Sequence, residues 1–315
     1  MARSDFYKPH PHAINLLGNG LTPPSSGIDQ RIPQSILPIE RITMHFNDFI
    51  QHIRNNPSDS LHRISSEWGQ GRAIFGGVMG AVMYTAMRRD IPVDRCILSF
   101  MVSFISPLAA DTDFIVDTQT LRAGKNSIQI EGRIIQNGQT VATALALFGT
   151  LRESSIDVSA RPAPHVPTPE SLPALPYIPN VVPEFTRKMD YRWAFGHLPF
   201  SGTTAREMGG WVRLQNETIG RDITDVDAHL IALIDAWPPA TLPLINRPAP
   251  ASTMTWHISF IQPSPTTGAP TDTDWLLYRA DIDHAASGYG QIRAHIWNQT
   301  GELLALSSQT VAVFD

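Results

Sequence analysis

Eight prolines fall between residues 152 and 188, at positions 162, 164, 167, 169, 173, 176, 179 and 183. Each lacks a backbone N–H and fixes φ, so the stretch admits neither a long helix nor a central strand. It predicts a proline-rich linker over residues 153–188, with an N-terminal extension (1–42) and two segments of small-domain size, 43–152 and 189–315. The two segments repeat one another in order. "VSFISP" at 102–107 recurs as "ISFIQP" at 258–263, and "IIQNGQTVATALALF" at 134–148 is echoed by "IWNQTGELLALSSQTVAVF" at 296–314, aligned on Gly138 and Gly301. The spacing between these two anchors differs between the halves, and the loop "PSPTTGAPTDTDW" absorbs the difference. Two copies of one fold is the economical reading.

Within each copy the pattern is a helix followed by strands. "GGVMGAVMYTAMRR" (76–89) reads as a helix opened by glycines. Ile128, Ile130, Gly132 and Ile134 then alternate with Gln129, Glu131 and Arg133, the period of a half-buried strand. Asn137-Gly138 predicts a tight hairpin, because both central residues of a primed turn need positive φ. Ala142, Ala144 and Ala146 give the next strand a small-residue face on which a helix can lie close. The fold class that follows is α+β, each half a bent antiparallel sheet wrapped around a central helix.

Composition narrows the function. With 42% hydrophobic residues in 315 and a net charge of −5 without any lysine- or arginine-rich block, the chain lacks the footprint of a nucleic-acid binder. A single cysteine, Cys96, excludes an internal disulfide framework and a cysteine-based zinc site, and fits a reducing compartment. The polar start "MARSDFYKPHPH" shows no secretion signal, no apolar run reaches the ~20 residues of a membrane span, and "VAVFD" is not a peroxisomal tail. The expectation is a soluble, cytoplasmic protein acting on small molecules.

One residue breaks the apolar pattern. "HLIALIDAWPPA" (229–240) is apolar nearly all round a helix, and Asp235 sits inside it. A buried ionised carboxylate costs several kcal/mol unless paired or hydrogen-bonded. From the helix alone, a hydrogen-bonded core residue and a functional acid both remain open.

The stretches "FGGVMGAVMYTA", "SFMVSFISP" and "LRAGKNS", followed by "GGWVRL", "IALIDAWPPA", "FIQP" and "LLALSSQTVAVF", resemble in order the double hot-dog acyl-CoA thioesterases, the thioesterase II (TesB-like) group, over about residues 43–315. The resemblance implies two tandem hot-dog repeats and hydrolysis of an acyl-CoA to free acid and coenzyme A. It implies no metal or other cofactor, and a homo-oligomer, dimer or higher. It also implies a second-half site in which an Asp, a Ser or Thr and a Gln activate water. Those positions fall on Asp235, Thr253 and Gln309, with Thr255 the alternative hydroxyl if the register slips by two. Carrying the repeat offsets backwards places Met79, Ile97 and Ala146 opposite them, so the first half has lost its site. Some members of the group carry a histidine where this chain has Leu98, so a histidine mechanism is not expected.

Thioester hydrolysis needs an activated water and a place for the developing oxyanion. Burial would raise the pKa of Asp235 and make it a better base, while Thr253 and Gln309 would orient the water. The helix start at Gly76 and Gly77, with unpaired N–H groups at the positive end of a helix dipole, is the expected oxyanion and substrate-binding element. The competing readings are a non-catalytic acyl-CoA-binding module and an enoyl-CoA hydratase-like hot-dog enzyme, the latter lacking here its Asp and His pair. Among other features, "TDVDAH" (224–229) reads as a helix cap through Asp225 or Asp227 rather than a metal site. His10 and His12 read as solvated, and "HFNDFIQHIRN" (45–55) as an amphipathic helix packed on the core. Arg88, Arg89, Arg122 and Lys125 read as solvated cations or as contacts for coenzyme A phosphates.

Overall fold

The computed structural model describes residues 45–215, 218, 225–261 and 275–315. The extension 1–42 with His10 and His12, Thr224 of "TDVDAH", the Gln262-Pro263 pair that closes the second repeat motif and most of the loop after it lie outside the described residues.

The α-helices with described bounds are α1 (Phe46–Asn55), α2 (Gly76–Arg88) and α3 (Val226–Ile234). A small ribbon pairs β1 (Gly69–Gln70) with β2 (Ala73–Ile74). The remaining strands are β3 (Cys96–Phe104), β4 (Ile115–Ala123), β5 (Ser127–Gln136), β6 (Gln139–Gly149), β7 (Met189–Phe195), β8 (Glu207–Leu214), β9 (Ala251–Phe260), β10 (Leu276–Ala286), β11 (Tyr289–Trp297) and β12 (Leu303–Val313). They form one antiparallel sheet of ten in the order β4-β5-β6-β3-β9-β12-β11-β10-β8-β7. This is the α+β arrangement of two copies that the repeat predicts, and the tandem hot-dog fold that the resemblance implies. The β5–β6 hairpin turns at Asn137 and Gly138 with φ of 53° and 73°, as the primed turn requires.

The repeat is visible in the hydrogen-bond register. β3 and β9 pair across the middle of the sheet, and the Met101–His257 pair is the centre of the exchange: Ser99 opposes Ser259 and Ser103 opposes Thr255, Phe100 opposes Ile258 and Val102 opposes Trp256. Each half also carries the same bulge. Ile97 pairs with Phe148 and Ser99 with Leu147, skipping Leu98, while Thr253 pairs with Val311 and Thr255 with Thr310, skipping Met254. Two sequences with few identical side chains thus keep the same ladder defect at the same place.

The inner face holds α2 and α3, which are buried all round and pack on each other. Gly80 permits the close crossing, since a side-chain Cβ there would stand 3.0 Å from both Ile231 and Trp256. Helix α1 presents Phe46, Phe49, Ile50 and Ile53 to the core, as its amphipathic pattern predicts. Asp225 caps α3 by accepting from the Ala228 N–H at 3.2 Å, and its carboxylate also pairs with Arg54 of α1. Part of the proline-rich stretch lies against a second apolar cluster built on Trp211, Trp275, Leu277, Trp297 and Leu303. Trp211 Nε1 donates to Pro167 O at 2.9 Å and Trp297 Nε1 to Arg161 O at 3.1 Å.

Two sequence readings need correcting. Asp235 is not inside its helix: α3 ends at Ile234, and Asp235 is the C-cap, with φ −89° and ψ 0°. Pro238 and Pro239 stand just beyond, where the chain cannot continue as helix. Nor is Met79 the first-half counterpart of Asp235. The connection from α2 to β3 (residues 89–95) is much shorter than that from α3 to β9 (235–250), so an offset counted back from the strands overshoots. The other two equivalences stand in the ladder, where Ala146 and Gln309 face the matching residues Phe100 and Trp256.

Candidate active site

Asp235 lies where the C-terminal end of α3 meets the N-terminal turn of α2. Gln309 Nε2, from β12, donates to Asp235 Oδ1 at 2.8 Å, and the backbone N–H of Gly77 donates to the same carboxylate. Protein surrounds the group on nearly every side, yet one edge stays open to a cleft of about 220 Å³. Desolvation pushes its pKa up to about 7, against the lowering effect of the Gln309 and Gly77 hydrogen bonds. Glycine is required beside it: a Cβ on Gly76 would stand 2.7 Å from Asp235 Oδ2, and one on Gly77 would stand 2.5 Å from Ala232 O.

The bulge at Met254 places the threonine. Cross-strand partners share a face. Val311 is fully buried on the helix-bearing face, so Thr253, its partner, points the same way, and it lines the cleft with Asp235 and Gln309. Thr255 lies on the other face, in a separate outer groove with Ser103, His257 and Thr310. Without the bulge the alternation would reverse and turn Thr253 away.

Asp235, Thr253, Gln309 and Gly76 therefore line one cleft. Gly77 sits behind it, its N–H engaged by the carboxylate, so of the two glycines Gly76 is the one that faces the open space. Residues that the sequence reading missed complete the walls. Met79 and Leu108 line the cleft from the first half, and Trp237 closes it from the second. Trp237 is held by a box of aromatic rings: it stacks on Tyr278 (centroids 5.7 Å apart, planes 8° apart) and meets Tyr191 and Trp193 edge-on. The Tyr191 hydroxyl donates to Ala236 O at 2.8 Å, pinning the backbone between Asp235 and Trp237. Burial, with the nearby Asp235 charge, raises the pKa of both Tyr191 and Tyr278, so they stay neutral. The signal that would have found Trp237 was its place immediately before Pro238-Pro239, which marks the end of the helix and the turn of the chain across the cleft.

The other sequence candidates lie elsewhere. Arg88 donates to the carbonyls of Ile91 and Pro92, and Arg89 to those of Ile53 and Arg54, so both guanidinium groups are used to hold the C-terminal ends of α2 and α1. Arg122 lies near the end of β4 and Lys125 follows in the turn to β5, and neither lines the cleft. Among the described residues no group of three or more His, Cys, Asp or Glu is placed to hold a metal ion, and no helix is long and apolar enough to cross a membrane.

Comparison with known proteins gives the family and the fold. Residues 64–149 match the family model of the acyl-CoA thioesterase N-terminal domain, and residues 169–313 match that of the acyl-CoA thioesterase C-terminal domain. The chain is 24% identical over 254 residues to acyl-CoA thioesterase 2 of Haemophilus influenzae, covering 76% of this chain and 86% of that protein. Among solved structures, a conserved hot-dog protein of unknown function from Alicyclobacillus acidocaldarius superposes with a TM-score of 0.71 at 24% identity, over 84% of this chain and 98% of that one. The acyl-CoA thioesterase II TesB2 from Mycobacterium marinum superposes with a TM-score of 0.65 at 16% identity, over the same shares of the two chains.

Proposed function

Since the chain belongs to the TesB-like acyl-CoA thioesterases, a family of thioester hydrolases, we propose that it hydrolyses an acyl-CoA to the free acid and coenzyme A with Asp235 as general base. The observation that carries this reading is the carboxylate itself: partly open to a cleft, hydrogen-bonded to Gln309, and brought by burial to a pKa of about 7. A base titrating near neutral pH combines a useful ionised fraction with the strongest proton affinity available to it. Gln309 holds one carboxylate oxygen through its amide N–H, leaving its own amide oxygen to accept from water. Thr253 lines the same space, and its hydroxyl would supply a further contact.

Ionised Asp235 takes a proton from the held water as the oxygen attacks the thioester carbonyl carbon. The tetrahedral intermediate collapses with cleavage of the C–S bond, and the departing thiolate recovers the proton from Asp235. The Gly76 N–H, at the positive end of the α2 dipole, serves the oxyanion, since that of Gly77 is already engaged by the carboxylate. The domain division at 43–152, 153–188 and 189–315, a homo-oligomeric state and a cytoplasmic location belong to the same proposal. Sedimentation of the purified chain tests the oligomer.

The deciding experiment is release of free thiol from a panel of acyl-CoA esters by the wild type and by Asp235→Asn. Turnover in the wild type, lost in a folded variant, supports the reading. Binding of the esters without thiol release would replace it with a non-catalytic acyl-CoA-binding module.

A further inference from the structure

We propose that Trp237 is the residue that limits acyl-chain length in this cleft, making the chain selective for short acyl thioesters; the inference rests on the hydrolase reading above. The reacting carbonyl has to lie beside Asp235, Thr253 and Gln309. Coenzyme A is large and polyanionic, so from that point it can leave only towards solvent, past the exposed rim formed by Gln70, Ser106 and Ser252. The apolar acyl group then takes the buried side, walled by Ile74, Met79, Leu108 and Trp237.

Of these walls only Trp237 is both large and immobile. Its ring is stacked on Tyr278 and met edge-on by Tyr191 and Trp193, with centroids 5.0 to 5.7 Å away. Its backbone is held on one side by the Tyr191 hydroxyl on Ala236 O and followed on the other by Pro238 and Pro239. A longer chain cannot displace a ring packed in this way, whereas Met79 can change rotamer and adapt. The whole cleft holds only about 220 Å³ and Trp237 is part of its buried wall, so extra methylenes meet the indole rather than open space. The selectivity is thus set by a rigid stop, and removing the stop should move it.

The test is kcat/KM for straight-chain acyl-CoA esters from acetyl to dodecanoyl, measured for the wild type, Trp237→Ala and Trp237→Phe. The expected result is a wild-type profile that falls beyond short chains and an alanine variant whose cut-off moves several carbons longer. The ratio of longer to shorter esters should rise at least about tenfold, the scale on which hydrophobic pockets discriminate single methylenes. Phenylalanine, a smaller ring that preserves the aromatic box, should shift the profile the same way by less, and it carries the test if the alanine variant does not fold. An active wild type whose ratio is unmoved in a folded variant overturns the assignment to Trp237 and leaves the hydrolase reading intact. A wild type that releases no thiol from any ester overturns the hydrolase reading, and this inference with it.

Discussion

At the scale of single residues, the proposed chemistry depends on a carboxyl whose pKa burial raises to about 7. The active form of a base is the ionised one, so kcat/KM should rise with pH through about 7, the value to which desolvation brings Asp235. Asp235→Asn should lower kcat by roughly 10²- to 10⁴-fold and abolish that limb. A folded Asn variant with an unchanged pH profile would remove Asp235 from the mechanism. The Gln309 hydrogen bond lowers the Asp235 pKa, so Gln309→Ala should both slow the enzyme and move the limb to higher pH. Movement to lower pH would mean that the amide contacts the acid in some other way. Gly76 is tested separately. A Cβ there would intrude to 2.7 Å from Asp235 Oδ2, so Gly76→Ala should depress activity far more than it lowers Tm.

At the scale of elements, strand pairing and a ladder defect build the site. The bulge that skips Met254 rotates Thr253 to the inner face, and its twin at Leu98 does the same for Ile97, whose apolar side chain has nothing to offer water. Alternation in the sequence announces the strands but not the bulge, which is why Thr253 and Thr255 could not be separated before the fold was seen. The glycines of "GGWVRL" in β8 have a comparable hidden role. Gly209 has φ of 145°, and a Cβ on it would stand 2.1 Å from the Tyr278 carbonyl oxygen, the residue whose ring supports Trp237. Gly209→Ala should destabilise the protein by about 3 kcal/mol or more, through backbone strain and a broken β8–β10 ladder. Denaturant unfolding checks this, and a loss under about 1 kcal/mol, the ordinary cost of a substitution, would show that the strand relaxes around the methyl group.

At the scale of the whole molecule, opposite kinds of buried group act on the same pH range. Desolvation raises Asp235 from 3.8 to about 7, and it raises Asp227, with help from the Asp225 charge, to about 7 as well. Both bind protons in the folded state where the unfolded chain has released them, so their contribution to stability falls as pH rises from about 4 to 7. His62 and His229 are lowered by burial from 6.5 to about 4, so theirs rises over about pH 4 to 6.5. Asp225, raised by burial, and His295, lowered by it, oppose each other in the same way. Tm should therefore be nearly level between about pH 4.5 and 6.5. Asp235→Asn removes one acid from the balance, so its Tm should climb with pH across that window and exceed the wild type at pH 7 and above. Parallel Tm curves for the two proteins would show that Asp235 is not desolvated in the folded state. The sequence by itself determined the repeat, the strands and the β5–β6 turn, because alternation and turn chemistry are local properties, while the polar residues of the second half came from the resemblance, with the hydroxyl left between Thr253 and Thr255. Only the tertiary structure decided that Asp235 ends its helix, that Met79 lines its cleft rather than mirroring it, that Thr253 and not Thr255 faces the acid, and that Trp237 closes the pocket. Those depend on connection length, a one-residue bulge and the packing of α2 against α3, which bring together residues far apart in the chain.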